Sequence, residues 1–269
     1  MKEVIKGIAR KFGYKISKIN DKEADFTKFG YDKLFAYFPS WVSKFKLESK
    51  EFGGYADYDN VRVSMLNMPE VSEEINFKDK SVLELGPLEA GNSIILERMN
   101  PSKIISIEGR TESYIKCCMI KNIYDLNRTK FYLDDARNIS SEKYGNFDVA
   151  VVLGLLYHLD DPHVLLDKIG KMADKLVLST HYADEGSPYK NAENKTVEYN
   201  GKKYSGRIYQ EDPDLDPNAG LQNISFWPFE EDLVNMVKDS GYNKVKIIQK
   251  NPIPYKDSEY KLIYLIASK

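Results

Sequence analysis

The 269-residue sequence predicts an α/β fold: a doubly wound, mostly parallel seven-stranded sheet with an antiparallel last strand, an N-terminal helical cap and a β-hairpin insertion. Three observations carry the prediction. From Ser81 onward, short apolar runs alternate with helical patterns, as expected of parallel strands joined by right-handed crossovers. The run Val82 to Leu85 meets a glycine just before a helical segment, where such sheets place ligand-binding loops. The last two apolar runs, KVKIIQ and KLIYLIAS, leave no room for a helix between them, so they pair as a hairpin and the last strand opposes the rest.

Residues 1–78 lack alternating strand runs and show helical patterns at Tyr31 to Phe38 and Val71 to Ile75, which predicts a helical cap. Within it, Val4, Ile5, Ile8 and Phe12 fall at helical spacing among Lys2, Lys6, Arg10, Lys11, Lys15 and Lys18, an amphipathic pattern suited to docking on the body of the protein or, as the alternative, on a membrane or partner. Residues 79–269 form the main domain. Its strands are SVLEL, KIISIEG, KFYLD, FDVAVVLG, KLVLST and the final pair, with helices at NSIILERM, TESYIKCCMIKNIYDL, DPHVLLDKIGKMA and PFEEDLVNMVKDSG. The alternation is interrupted at about 183–226, where TVEYNGKKYSGRIYQE surrounds Asn200-Gly201, a strong signal for a type I′ hairpin turn in a lid insertion.

Composition narrows the class. With 42% hydrophobic and 30% charged residues and no run near the ~20 apolar residues of a membrane span, the chain reads as a cytoplasmic globular protein without a transmembrane segment. A net charge of −2 gives no general attraction to nucleic acid, so DNA is not expected as a partner and RNA is disfavoured. Cys117 and Cys118 are adjacent and cannot readily bridge, and no Cys/His spacing suggests a metal site.

Ligands of open α/β sheets sit beyond the carboxyl ends of the strands. The first such loop reads Gly86-Pro87-Leu88-Glu89-Ala90-Gly91. A pyrophosphate needs free N–H groups there. Pro87 removes a donor, Leu88 and Ala90 bring side chains, and Glu89 adds a negative charge. A phosphate-free, cationic nucleoside fits better. Glu108 ends the next strand 24 residues after Glu84, near the interval of about 20 expected for an acid holding a ribose diol.

The segment from Ser81 to about Thr180, with the C-terminal hairpin, resembles the class I S-adenosylmethionine-dependent methyltransferases. VLELGPLEAGNSIILER, SYIKCCMIKN, GLLYHLDDP and LSTHYAD look like a little-characterised bacterial subgroup with an ELGPLEGGHT-type first motif. This chain departs from that motif with Ala90 for a glycine and Asn92-Ser93 for His-Thr. The resemblance implies a Rossmann-like methyltransferase domain and S-adenosylmethionine as cofactor. Glu84, Gly86, Pro87, Leu88 and Gly91 would hold its methionine end, Glu108 and Gly109 its ribose, and Asp135 or the competing Asp134, with Ala136, its adenine; Leu153 and Gly154 would line its tail.

Only three histidines exist, and His158 and His181 follow strands at the ligand-facing end, which makes them the candidate catalytic bases; His163 falls in the first turn of a helix. Tyr157, Tyr182, Arg207 and Trp227 are the candidate substrate contacts, with Tyr199, Tyr204 and Tyr209 as further insertion aromatics. The expected reaction is methyl transfer to oxygen or nitrogen of a small-molecule or sugar-derived acceptor. The alternatives are an RNA-modifying enzyme of the wobble-uridine type, to whose motif GLLYHLDDP is similar, and a regulatory protein that binds the cofactor without transfer.

Overall fold

The computed structural model describes residues 30–60, 64–184, 193–211, 219–255 and 258–269. The chain divides into two compact units, Met1–Ser40 and Trp41–Lys269. In the first, the described part is a short helix α1 (Tyr31–Phe35) followed by an edge-to-face pair of Tyr37 and Phe38, 5.2 Å between ring centres. The basic amphipathic helix expected around Val4 to Phe12 lies outside the described residues.

In the second unit, the main sheet is built from β3 (Ser81–Leu85), β4 (Lys103–Glu108), β5 (Thr129–Leu133), β6 (Phe147–Leu153), β7 (Ala173–Tyr182), β11 (Lys244–Tyr255) and β12 (Ser258–Ser268). Its order is β11-β12-β7-β6-β3-β4-β5. The five neighbouring strands from β7 to β5 are parallel, and β12 lies antiparallel to both β7 and β11. The winding reverses between β3 and β6, so the crevice for a ligand opens beyond Leu85 and Leu153.

Sequence explains the crossovers. Helix α3 (Gly91–Arg98) is buried almost throughout, α4 (Thr111–Ile123) buries Cys117 and Ile120, and a single turn, α5 (Ser141–Tyr144), precedes β6. Helix α6 (Pro162–Met172) begins with proline at its first position, where the missing N–H costs nothing, and buries Leu165, Leu166 and Ile169. Helix α7 (Glu230–Asp239) carries three acids in its first turn and Lys238 in its last, matching its dipole. Gly170 lets α6 approach α7 closely, since a methyl group there would sit 1.8 Å from the Ser240 carbonyl oxygen.

Two regions differ from expectation. Residues 41–78 contain not only a helix α2 (Pro69–Glu74) but also a hairpin of β1 (Lys44–Leu47) and β2 (Lys50–Gly53). Moreover Met65, Leu66, Val71, Ile75 and Phe77 share one apolar cluster with Val82, Ile95, Leu96 and Ile104 of the main domain. This stretch is therefore part of the sheet's core, and the packing divides the chain at Ser40/Trp41 and not at residue 78. The short lengths of β1 and β2, four residues each, left them without a readable alternation.

The insertion is a three-stranded antiparallel sheet, with β9 (Lys202–Gln210) between β8 (Glu193–Tyr199) and β10 (Ile224–Pro228). Asn200 and Gly201, with φ of 51° and 73°, form the expected type I′ turn. ISFWP, next to a predicted helix, proves to be β10. Tyr199 donates to Asp167 of α6 at 2.9 Å and Tyr204 to Asp239 of α7 at 3.0 Å, so these tyrosines fasten the small sheet to the helices. Among the described residues no helix is long and apolar enough to cross a membrane.

Candidate functional site

At the crevice lies a cavity of about 700 Å³, lined on one side by the ends of β3, β4 and β6 and on the other by β9 and β10. Gly86, Leu88, Glu108, Gly109, Asp135, Ala136, Leu153 and Gly154 all face it.

The loop after β3 bends through three left-handed residues, Gly86 at φ 70°, Leu88 at 55° and Ala90 at 66°. Its amides are already used. Gly86 N–H donates to Ile107 O at 3.0 Å, Leu88 N–H to Glu108 Oε2 at 3.0 Å, and Ala90 N–H to Pro87 O at 2.9 Å. Pro87 has none to give. Three of the four N–H groups between Gly86 and Ala90 are therefore committed, and the loop offers no phosphate cradle.

Glu108 is the acid this loop organises. One oxygen accepts from Leu88 N–H and the other from Arg110 N–H at 2.8 Å. Burial pushes its carboxyl up to about 7, against the pull of those donors. Glu84 is more deeply buried and does not line the cavity; its Oε2 accepts from the hydroxyls of Ser93 at 2.6 Å and Ser106 at 2.7 Å. Its Oε1 is buried without a hydrogen-bond partner, and burial raises this carboxyl too, to about 7.

Glu89 turns away from the cavity. It accepts from Val42 N–H at 3.0 Å and Ser43 N–H at 2.7 Å and pairs with the Lys116 ammonium at 2.9 Å. Its charge thus serves the fold, where the sequence suggested an acid beside the ligand. The motif departures are likewise absorbed: Ser93 supplies Glu84, and Asn92, which lines the cavity, accepts from the Ser64 hydroxyl at 2.6 Å.

Pro87, Gly91 and Asp134 lie off the cavity wall. Gly91 sits under the Tyr58 ring, which a methyl group would meet at 2.5 Å. Asp134 is engaged by Lys143, Tyr144 and Asn138; burial opposes these contacts, which nevertheless hold it down at about 2. Of the two competing aspartates, Asp135 is the one that faces the cavity, although it also caps the turn at Ala136–Asn138 and pairs with the Arg137 guanidinium.

Across the cavity stand Tyr157, His158, His181 and Trp227. The Tyr157 ring packs against both imidazoles, with ring centres 4.2 and 4.3 Å away. Trp227 is held on both sides, stacked on His181 at 4.9 Å and packed against Tyr209 at 4.1 Å, while its N–H donates to the Tyr157 carbonyl at 2.7 Å. This indole lines the cavity and is braced by both rings. Tyr182 projects to the opposite side of β7 from His181, into the core, because successive strand residues alternate. Arg207 donates to Asn194 Oδ1 at 3.2 Å and to the Asp184 carbonyl, outside the cavity.

The histidines differ in their surroundings. His181 donates Nδ1–H to the Lys261 carbonyl at 3.1 Å, and burial depresses it to about 4, so it is neutral near pH 7. His158 Nδ1 instead lies 3.2 Å from both oxygens of Glu211. His163 packs against Tyr199 and Tyr204, away from the cavity. Sequence reasoning missed Glu211 and Arg110, because no spacing signals that an acid at the end of β9 meets a histidine 53 positions earlier. Among the described residues no cluster of metal-ligating side chains occurs.

No protein-family model matches the chain, and no curated protein matches it in sequence. Solved structures do match in fold. The N-terminal domain of EvdMO1 with SAH bound superposes with a TM-score of 0.72 at 21% identity, over 88% of this chain and 95% of that one. The same domain in the presence of SAH and D-fucose gives 0.71 at 20% identity, over 89% and 96%. Magnesium protoporphyrin IX methyltransferase (ChlM) from Synechocystis PCC 6803 with bound SAH gives 0.51 at 12%, over 77% and 81%. Strand order, antiparallel final strand and these likenesses together make this the Rossmann-like fold of the class I S-adenosylmethionine-dependent methyltransferases.

Proposed function

We propose that the protein is an S-adenosylmethionine-dependent methyltransferase acting on oxygen or nitrogen of a small-molecule or sugar-derived acceptor. The observation that carries this reading is the loop after β3, whose amides are spent while the acid they organise, Glu108, faces the cavity. A nucleoside with a ribose diol and no phosphate suits that arrangement. When bound, S-adenosylmethionine supplies a methyl carbon activated by the adjacent sulfonium. SAH, the product form of that cofactor, is bound in the EvdMO1 and ChlM structures, which supports the same choice here.

In this reading Glu108 accepts from the ribose hydroxyls. Gly86, Leu88, Asn92, Leu153 and Gly154 enclose the methionine end, and Asp135 with Ala136 borders the adenine. Much of the rate then comes from alignment, since holding reactants in line replaces a bimolecular encounter. A hydroxyl acceptor also needs a base, whereas a neutral amine does not. His158, beside a carboxylate, favours a hydroxyl. His181 stays neutral and orients the acceptor pocket through Tyr157 and Trp227. The D-fucose named with one EvdMO1 structure makes sugar hydroxyls the first acceptors to try.

Titration calorimetry with SAH tests the assignment. The wild-type chain is expected to bind, and Glu108→Ala to bind at least about tenfold more weakly while still unfolding in one cooperative transition, at a somewhat lower temperature because the Leu88 and Arg110 amides lose their acceptor. Unchanged affinity in the variant would remove the ribose role of Glu108, and no binding by the wild type would remove the cofactor.

A further inference from the structure

His158 and Glu211 come from different layers, the turn after β6 and the end of β9, yet meet at 3.2 Å through Nδ1. A carboxylate only accepts, so the pairing fixes the proton on Nδ1 and leaves the lone pair on Nε2. Glu211 is itself held, because its Oε2 accepts from Gly220 N–H at 3.0 Å. Gly220 lies so close to His158 that a methyl group would meet the His158 carbonyl oxygen at 2.4 Å. The Arg110 guanidinium then donates to the carbonyls of Ala219 and Gly220, and Arg110 N–H donates to Glu108. A continuous run of hydrogen bonds thus joins Glu108 to His158 through Arg110, Gly220 and Glu211.

We propose that Glu211 is a positioning residue for methyl transfer: it fixes the tautomer and orientation of His158 so that Nε2 faces an acceptor hydroxyl, and Arg110 with Gly220 sets its place relative to Glu108. The chemistry rests on the methyltransferase reading above; the pairing does not. In the transfer, the hydroxyl proton passes to His158 Nε2 as the oxygen bonds to the methyl carbon, and the electron pair of the broken C–S bond stays on sulfur. The products are a methyl ether, the neutral thioether and an imidazolium that faces Glu211. An enzyme needs a carboxylate there because the cation forms in a half-buried site shared with the second imidazole, His181. Among the described residues, Glu211 is also met by the Gly220 N–H and the Ser225 hydroxyl and His158 by the Tyr157 ring, while the charged Arg110 guanidinium stands on the far side of Gly220, at its carbonyl.

Nitrogen-15 spectra of the full-length protein test this, since three histidines give three resolvable rings. In the wild type, neutral His158 is expected to carry its proton on Nδ1; an Nε2–H tautomer overturns the proposal without any variant. Glu211→Ala is expected to shift neutral His158 toward the Nε2–H form that an unpaired imidazole prefers, with loss of most of the Nδ1–H signal. Glu211→Asp should recover part of it, while the His163 and His181 rings and the SAH affinity hold, the latter within about twofold. An unchanged His158 tautomer in Glu211→Ala overturns the proposal. Failure of the wild type to bind SAH bears instead on the methyltransferase reading.

Discussion

Glu84 and Glu89 are five positions apart and equally buried, yet their surroundings differ. Glu89 has two backbone N–H donors and a lysine, whereas Glu84 has two hydroxyls and one oxygen with no partner. An isolated buried carboxyl resists ionisation, hence the rise of Glu84 to about 7. Because the folded value exceeds the ordinary glutamate value, the folded state holds its proton longer than the unfolded state. The resulting penalty is absent below about pH 4, grows as pH rises and is complete above about 7. Stability should therefore fall on the order of 3 kcal/mol across that window from this group. In Glu84→Gln, urea unfolding from pH 5 to 8 should show a flatter decline; an identical slope would place the titration elsewhere. The sequence marked Glu84 by position but not by environment, since the serines that supply it, Ser93 and Ser106, come from separate elements.

Elements were legible where the period was long and unbroken. The five parallel strands, the four main helices and the Asn200-Gly201 turn follow directly from apolar periodicity and turn chemistry. β1, β2 and β10 were not, because they are short and lie outside the strand–helix alternation, so that pairing partners decide the outcome. Close approach between elements is also invisible in one dimension. Gly170 reads as an ordinary mid-helix residue, yet it sets the contact of α6 with α7 against the Ser240 backbone. Gly170→Ala gains helix propensity but cannot fit without moving a helix, so it should destabilise by about 1–3 kcal/mol. A variant equal or superior to wild type in urea would mean that the two helices separate without penalty.

For the whole molecule, the sheet's core extends back to residue 41. Val42 and Ser43 supply Glu89, Ser64 supplies Asn92, and the apolar residues from Met65 to Phe77 cover β3 and β4. A chain shortened to begin at Asp79 would expose that cluster and take from Glu89 its two backbone donors, opening the Glu89–Lys116 pair to water. Such a fragment should lose cooperative thermal unfolding; retention of a sharp transition near the full-length midpoint would show that the sheet folds without residues 41–78. The cavity wall from Gly86 to Glu108 was readable because one strand–loop–helix segment and the next strand end supply it. On the facing wall Tyr157, His158, His181 and Trp227 were readable one by one, but the meeting of His158 with Glu211 was not, because the two come from separate elements. One consequence reaches beyond the protein to its surroundings. ATP and the nicotinamide dinucleotides share adenine and ribose with S-adenosylmethionine and are abundant wherever metabolism runs. A loop in which the Gly86, Leu88 and Ala90 amides are already hydrogen-bonded and Pro87 has none gives such phosphates little in return for lost water, so the backbone itself discriminates against phosphate-bearing nucleotides.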